Sequence, residues 1–149
     1  MLKIIYHSQS GSCARLALEV FAGAKQEKGF ETSLIRALDS SISELSNASG
    51  LLLIASENSG YLSGGMKEFF DRIFYPAIRD SLILPYALLI SAGNDGREAA
   101  RHAQRILSGI PLKAVMEPVV IRGELTDKSC RRAQDLGLSM AAGLNMGIY

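Results

Sequence analysis

Three stretches of the chain concentrate small residues that can make hydrogen bonds. The first is His7-Ser8-Gln9-Ser10-Gly11-Ser12, followed by Cys13 and Ala14. The second is Ser56-Glu57-Asn58-Ser59-Gly60-Tyr61-Leu62-Ser63-Gly64, and the third is Ser91-Ala92-Gly93-Asn94-Asp95-Gly96. In the first, Ser8, Ser10 and Ser12 supply hydroxyl donors, and Gly11 lets the backbone wrap closely around a guest. This stretch runs straight into a helical pattern. A helix N-terminus presents unpaired N–H groups and the positive end of the helix dipole, so the chemistry indicated is the holding of a phosphate-like anion. No lysine lies in the loop, and neither GxxxxGK[ST] nor GxGxxG occurs, which argues for neutral donors and against a nucleoside triphosphate or dinucleotide fingerprint.

Other reactive side chains read as ordinary. Cys13 and Cys130 are far apart and form no CxxC pair, which excludes a disulfide framework and a cysteine zinc site and suits a reducing compartment. Cys13 sits where a helix dipole can lower a thiol pKa, but a small residue in a first helical turn reads first as packing. His7 reads as a satisfied loop histidine and His102 as a solvated side chain on a polar helix face. Glu57 is better placed for acid–base work at the strand ends and reads equally as pointing to water. Asp71 and Arg72 fall mid-helix and read as surface or helix–helix pairs. No catalytic acid or base and no metal-ligand set is singled out.

Hydrophobic residues make up 48% of the chain and charged residues 21%, a globular balance that excludes disorder. The formal charge of +1 gives no reason to expect nucleic acid or an acidic membrane as a partner, and Arg131-Arg132 is too short for a basic patch. The longest aliphatic stretch, Leu51–Ala55, is too short to cross a bilayer, and Met1–His7 turns polar too soon for a signal peptide. The expectation is a soluble, cytoplasmic protein with no membrane partner.

The elements that must position the three loops follow from periodicity. At 149 residues the chain reads as one domain spanning 1–149. Short apolar runs at 2–6, 32–36, 51–55, 85–90 and 113–122 read as strands, the last interrupted by Pro118 and therefore an edge. Between them lie helical patterns: Ser12 to Lys28 stopped by Gly29, a short helix with a Ser41/Glu44 capping box, a stripe of Met66, Phe69, Phe70, Ile73 and Phe74 stopped by Pro76, and a helix opened by an Asp95/Glu98 capping box. The last helix starts near Thr126. Alternating strands and helices imply an α/β fold, a three-layer sandwich around a five-stranded parallel sheet. The order 2-1-3-4-5 places the all-apolar third strand at the centre and gathers the three loops at the carboxyl ends of the strands.

The second loop and its helix, through Met66-Lys67-Glu68-Phe69-Phe70-Asp71-Arg72, resemble the segment after the third strand in flavodoxin-like FMN reductases and quinone reductases. Ser8-Gln9-Ser10-Gly11-Ser12-Cys13 resembles that group's phosphate loop, with Cys13 where Thr is usual. Ser91–Gly96 resembles the loop after the fourth strand. The resemblance implies a flavodoxin-like fold with bound FMN: Ser8, Ser10, Gly11, Ser12 and Cys13 on the phosphate, Asn58, Ser59, Gly60 and Tyr61 along the isoalloxazine, and Ser91, Gly93, Asn94 and Asp95 on its pyrimidine side or the ribityl chain. The third loop carries no aromatic residue, which leaves Tyr61 as the stacking candidate. The implied activity is oxidoreduction, electrons passing from NAD(P)H through FMN to a small acceptor such as a quinone or free flavin, with a homodimer as one possible assembly. A flavodoxin-type electron carrier and a flavin-free binding module are the alternatives. Carrier flavodoxins are strongly acidic, and the charge of +1 favours the enzyme.

Overall fold

The computed structural model describes residues 1–149. Strand β1 (Leu2–Tyr6) leads into α1 (Ser12–Ala24), then β2 (Thr32–Arg36), a single 3₁₀ turn at Ala37–Asp39 and the short α2 (Ile42–Ser46). Next come β3 (Gly50–Asn58), β4 (Tyr61–Leu62), α3 (Gly64–Arg79) and β5 (Leu84–Ala92). The chain closes with α4 (Arg97–Leu107), β6 (Leu112–Ala114), β7 (Val119–Arg122) and α5 (Asp127–Asn145).

The parallel sheet runs β2-β1-β3-β5, with β6 and β7 both paired to β5 on its outer side. This is the expected order, with one correction: the fifth strand is two short strands. β6 pairs with the start of β5 and β7 with its end, and Val115–Pro118 bridge them. Proline lacks the N–H that a continuous ladder needs, so the strand breaks where Pro118 falls. A second addition is β4, which folds back antiparallel on the end of β3 as a hairpin. Ser59 (φ 50°) and Gly60 (φ 73°) form its turn, and positive φ at both central positions matches the twist of a tight hairpin.

Leu51–Ala55 are fully buried because helices cover both faces of β3. On one face Leu51, Leu53, Leu88 and Ile90 pack with Phe69, Phe70 and Ile73 of α3 and Ala99, Ala103 and Leu107 of α4. On the other, Ile4, Leu52, Ile54 and Leu89 pack with Leu16 and Val20 of α1 and Ala133, Leu136 and Met140 of α5. α1 and α5 approach so closely that a Cβ at Gly23 would overlap the Gln134 backbone and one at Gly137 the Val20 carbonyl. No helix is long and apolar enough to cross a membrane.

Helix ends depart from expectation in informative ways. α1 ends at Ala24 rather than Lys28, and α3 runs three residues past Pro76 to Arg79. Proline inside a helix removes one ladder bond, but stopping there would withdraw the fully buried Ala77 from the core. The Ser41/Glu44 capping box does not form. Ser41 Oγ meets Ser43 Oγ, and Glu44 instead pairs with the buried Lys3 at 3.0 Å, where an unpaired ammonium would be costly. Thr126 does cap α5, accepting from the Ser129 N–H while Ser129 Oγ accepts from the Thr126 N–H.

Candidate functional site

Strand register brings the three loops to one rim. Tyr6 pairs with Ile54, Ser56 with Ser91, and Ala92 with Arg122, so the carboxyl ends of β1, β3, β5 and β7 point to one rim, with β3 and β5 running on past the level of Tyr6 to Asn58 and Ala92. The loops enclose a cavity of about 240 Å³. Of the thirteen expected site residues, Ser8, Ser10, Ser12, Cys13, Asn58, Ser91 and Gly93 line it. Gln9, Ser56, Glu57, Ala92 and Gly123 line it too and were not anticipated. Gly123 follows β7, whose separate existence the interrupted strand pattern concealed. Gly11, Ser59, Gly60, Tyr61, Asn94 and Asp95 lie outside the lining.

The floor belongs to α1. Gly11 precedes its first residue with φ 103°, a conformation reserved in practice for glycine, and donates its N–H to Ser8 Oγ at 3.2 Å. The first ladder bond of the helix runs from the Arg15 N–H to the Gly11 carbonyl at 2.9 Å. The N–H groups of Ser12, Cys13 and Ala14 therefore belong to the unpaired first turn, where the positive dipole end lies.

Cys13 does not offer its thiol to a ligand as a ready donor or nucleophile. The side chain is 2% exposed, and burial pushes the thiol up to about 11. Hydrogen bonds with the Ser56 and Ser91 hydroxyls and the Ser91 backbone act in the opposite direction. Packing rather than activation by the helix dipole governs this cysteine.

The three loops are tied to one another. Asn58 Nδ2 donates to Gln9 Oε1 at 3.4 Å and its Oδ1 accepts from Ser56 Oγ at 3.1 Å, joining the second loop to the first. Glu57 joins the second to the third. Its carboxylate accepts from the N–H groups of Gly96 (3.1 Å) and Ala99 (3.3 Å) at the N-terminus of α4. This corrects two expectations at once. Glu57 is a helix cap rather than a solvated acid, and Asp95 is not one. The Asp95 carboxylate turns outward to Arg97 at 2.6 Å, whose hydrogen bond holds it below the usual carboxylate range. Arg122 Nε donates to the Asp95 carbonyl at 2.8 Å and fastens the third loop to β7. Glu57 is the only charged residue in the cavity lining, and both its oxygens face α4 donors.

Two more placements differ from the sequence reading. Tyr61 turns away from the cavity and stacks on His102, ring centroids 4.0 Å apart. His102 is therefore not a solvated side chain, and its Nδ1 is buried without a partner. His7 is the satisfied loop residue expected, with Nδ1 3.2 Å from Ser63 Oγ and its ring against Gly65. Desolvation and the charge of Arg36 lower its pKa and favour the neutral ring. Asp71 pairs with Lys67, and Arg72 with Glu68 and the carbonyls of Ala37 and Ser40, as pairs on and between elements.

No protein-family model matches the chain, and no curated protein matches it. Solved structures do. A flavodoxin from the domain Archaea superposes with a TM-score of 0.83 at 21% identity, covering 97% of this chain and 98% of that one. A flavodoxin, WrbA-like protein from Agrobacterium tumefaciens gives 0.82 at 15% identity, covering 97% of both chains. The rubredoxin oxygen:oxidoreductase of Desulfovibrio gigas gives 0.82 at 16% identity over 99% of this chain but 36% of its own length. At these identities the likeness concerns architecture, and the architecture is plain: residues 1–149 adopt the flavodoxin-like α/β fold.

Proposed function

We propose that the chain is an FMN-binding oxidoreductase that passes electrons from NAD(P)H to a small acceptor such as a quinone or free flavin. The observation that carries this reading is the convergence of three hydroxyl- and amide-rich loops on one cavity at the N-terminus of α1. The donor set suits a phosphate monoester. Ser8, Ser10 and Ser12 would hold the phosphate with the free N–H groups of Ser12 and Cys13, Gly11 shaping the turn through its positive φ, without a lysine. Cys13 would serve through its backbone, which makes the replacement of Thr there tolerable. At about 240 Å³ the cavity has room for the phosphate and part of the sugar-alcohol chain, leaving the ring to the rim. There Asn58, Ser59 and Gly60 of the hairpin would lie along the isoalloxazine, and Ser91, Gly93, Asn94 and Asp95 of the third loop would flank its pyrimidine side or the ribityl chain. With Tyr61 held by His102, main-chain groups rather than an aromatic ring would orient the isoalloxazine.

FMN, when bound, supplies two-electron chemistry, so the protein needs no acid or base of its own. What the chain contributes is rigidity. The Gln9–Asn58, Glu57–Gly96 and Arg122–Asp95 ties fix the backbone amides before any ligand arrives, and preorganised dipoles set the potential of a redox ring. The formal charge of +1 favours a small-molecule enzyme over a carrier steered to a basic partner.

Titration of the purified chain with FMN, followed by quenching of flavin fluorescence, tests the reading. Saturable binding supports it, and absence of binding supports a flavin-free module. Ser10→Asp places a carboxylate beside the phosphate and is expected to weaken FMN by about tenfold or more, whereas Ser10→Asn stays within a few-fold. Equal affinity in both variants would move the phosphate away from this loop. Stopped-flow mixing of the loaded protein with NADPH then separates enzyme from carrier, since a carrier leaves the flavin absorbance unbleached.

A further inference from the structure

We propose that the groove between α3 and α4 is a second binding site, for a flat aromatic compound bearing one anionic group. The groove encloses about 640 Å³, against about 240 Å³ for the loop cavity, and lies in the range of small-molecule sites. It is built by periodicity. Positions 67, 71, 74 and 75 form one stripe of α3, and positions 102, 105, 106 and 109 form the facing stripe of α4 and its end.

Two features select the guest. The first is an excess of ring surface. Tyr61 stacks on His102 at 4.0 Å, Phe74 meets Tyr75 edge-on at 5.3 Å, and Tyr61 and Tyr75 remain 44% and 77% exposed. Gly109 makes room for this floor, because a Cβ there would come within 2.9 Å of the Phe74 ring. The His102 ring is held by stacking, since its Nδ1 has no hydrogen-bond partner. A flat guest gains on such faces what an aliphatic one does not. The second feature is charge. Lys67 is matched by Asp71 at 2.6 Å, while Arg105 pairs with no carboxylate, so the groove holds one uncompensated cation. One anionic group answers it, and a polyanion would meet the Asp71 carboxylate. Tyr61 is also the cross-strand partner of Asn58, which lines the loop cavity, so the two cavities share the β3–β4 hairpin as a wall.

The site is tested on the full chain without flavin, so its outcome is independent of FMN binding. The probe is 2-naphthoate, with neutral 2-naphthamide as comparison, at one fixed pH. The chain has two histidines, so the proton NMR signals of His7 and His102 report separately, His102→Gln making the assignment. Saturable movement of the His102 signals with His7 unmoved is expected. Arg105→Gln, at an exposed position, is expected to weaken 2-naphthoate about fivefold or more and leave 2-naphthamide within twofold. Tyr61→Ala is expected to weaken both. A His102 signal unmoved at several millimolar probe overturns the proposal. So does equal loss of the two probes in Arg105→Gln, and so does movement of His102 on dilution of the protein alone, which would make the groove a contact between two copies.

Discussion

At the scale of single residues, environment rather than residue type decides chemistry. Cys13 has the position of an activated thiol, yet it is buried, and desolvation outweighs the hydrogen bonds it makes with Ser56 and Ser91. Its folded pKa, about 11 against an ordinary 9.0, is raised, so the stability it contributes is complete below pH 9 and is lost as pH rises through about 11. The difference between wild type and Cys13→Ala in thermal denaturation is therefore expected to shrink by about 2–3 kcal/mol across that window. A constant difference would refute the account. In the native protein at pH 8, a thiol reagent should titrate Cys130, which is partly exposed, and leave Cys13 untouched until denaturant is added. The sequence named Cys13 but could not weigh its burial, because Ser56, Ser91 and much of the core around it lie more than thirty positions away.

At the scale of elements, the junction of β3 with α4 controls the site. A carboxylate from one loop closes the N-terminus of a helix in another, joining charge, dipole and hydrogen bonds in a single contact. Glu57→Ala is expected to cost about 1–2 kcal/mol and lower Tm by roughly 3–8 °C, with Glu57→Gln losing less because one acceptor remains. An unchanged Tm in Glu57→Ala would mean that the cap contributes nothing. The same element-scale logic explains why two expected capping boxes are absent. Glu44 and Asp95 have the right spacing, but the charged side chains of Lys3 and Arg97 are stronger partners for a carboxylate than the backbone N–H groups of a first turn. Spacing alone lists possible partners, and tertiary neighbours choose among them.

At the scale of the whole molecule, one sheet carries both cores. Leu51, Leu53 and Ile90 belong to one and Leu52, Ile54 and Leu89 to the other, so alternate residues of the same strands anchor opposite layers. Neither layer can leave without exposing the sheet, and the chain is expected to unfold in a single transition. Urea curves followed by far-UV circular dichroism and by tyrosine fluorescence, to which the buried Tyr86 contributes, should coincide. Separate midpoints would divide residues 1–149 into independent units.

Periodicity and composition by themselves determined the alternation of strands and helices, the parallel sheet with its apolar centre, the edge position of the proline-bearing strand and the three small-residue loops that follow strands. Those properties are local, written in the spacing of neighbouring residues. The direction of Tyr61, the partner of Glu57, the burial of Cys13 and the groove beneath His102 were decided by the tertiary structure alone. Each depends on contacts between residues brought together from distant parts of the chain, where the competition among neighbours for hydrogen bonds, charge and apolar surface is settled in three dimensions.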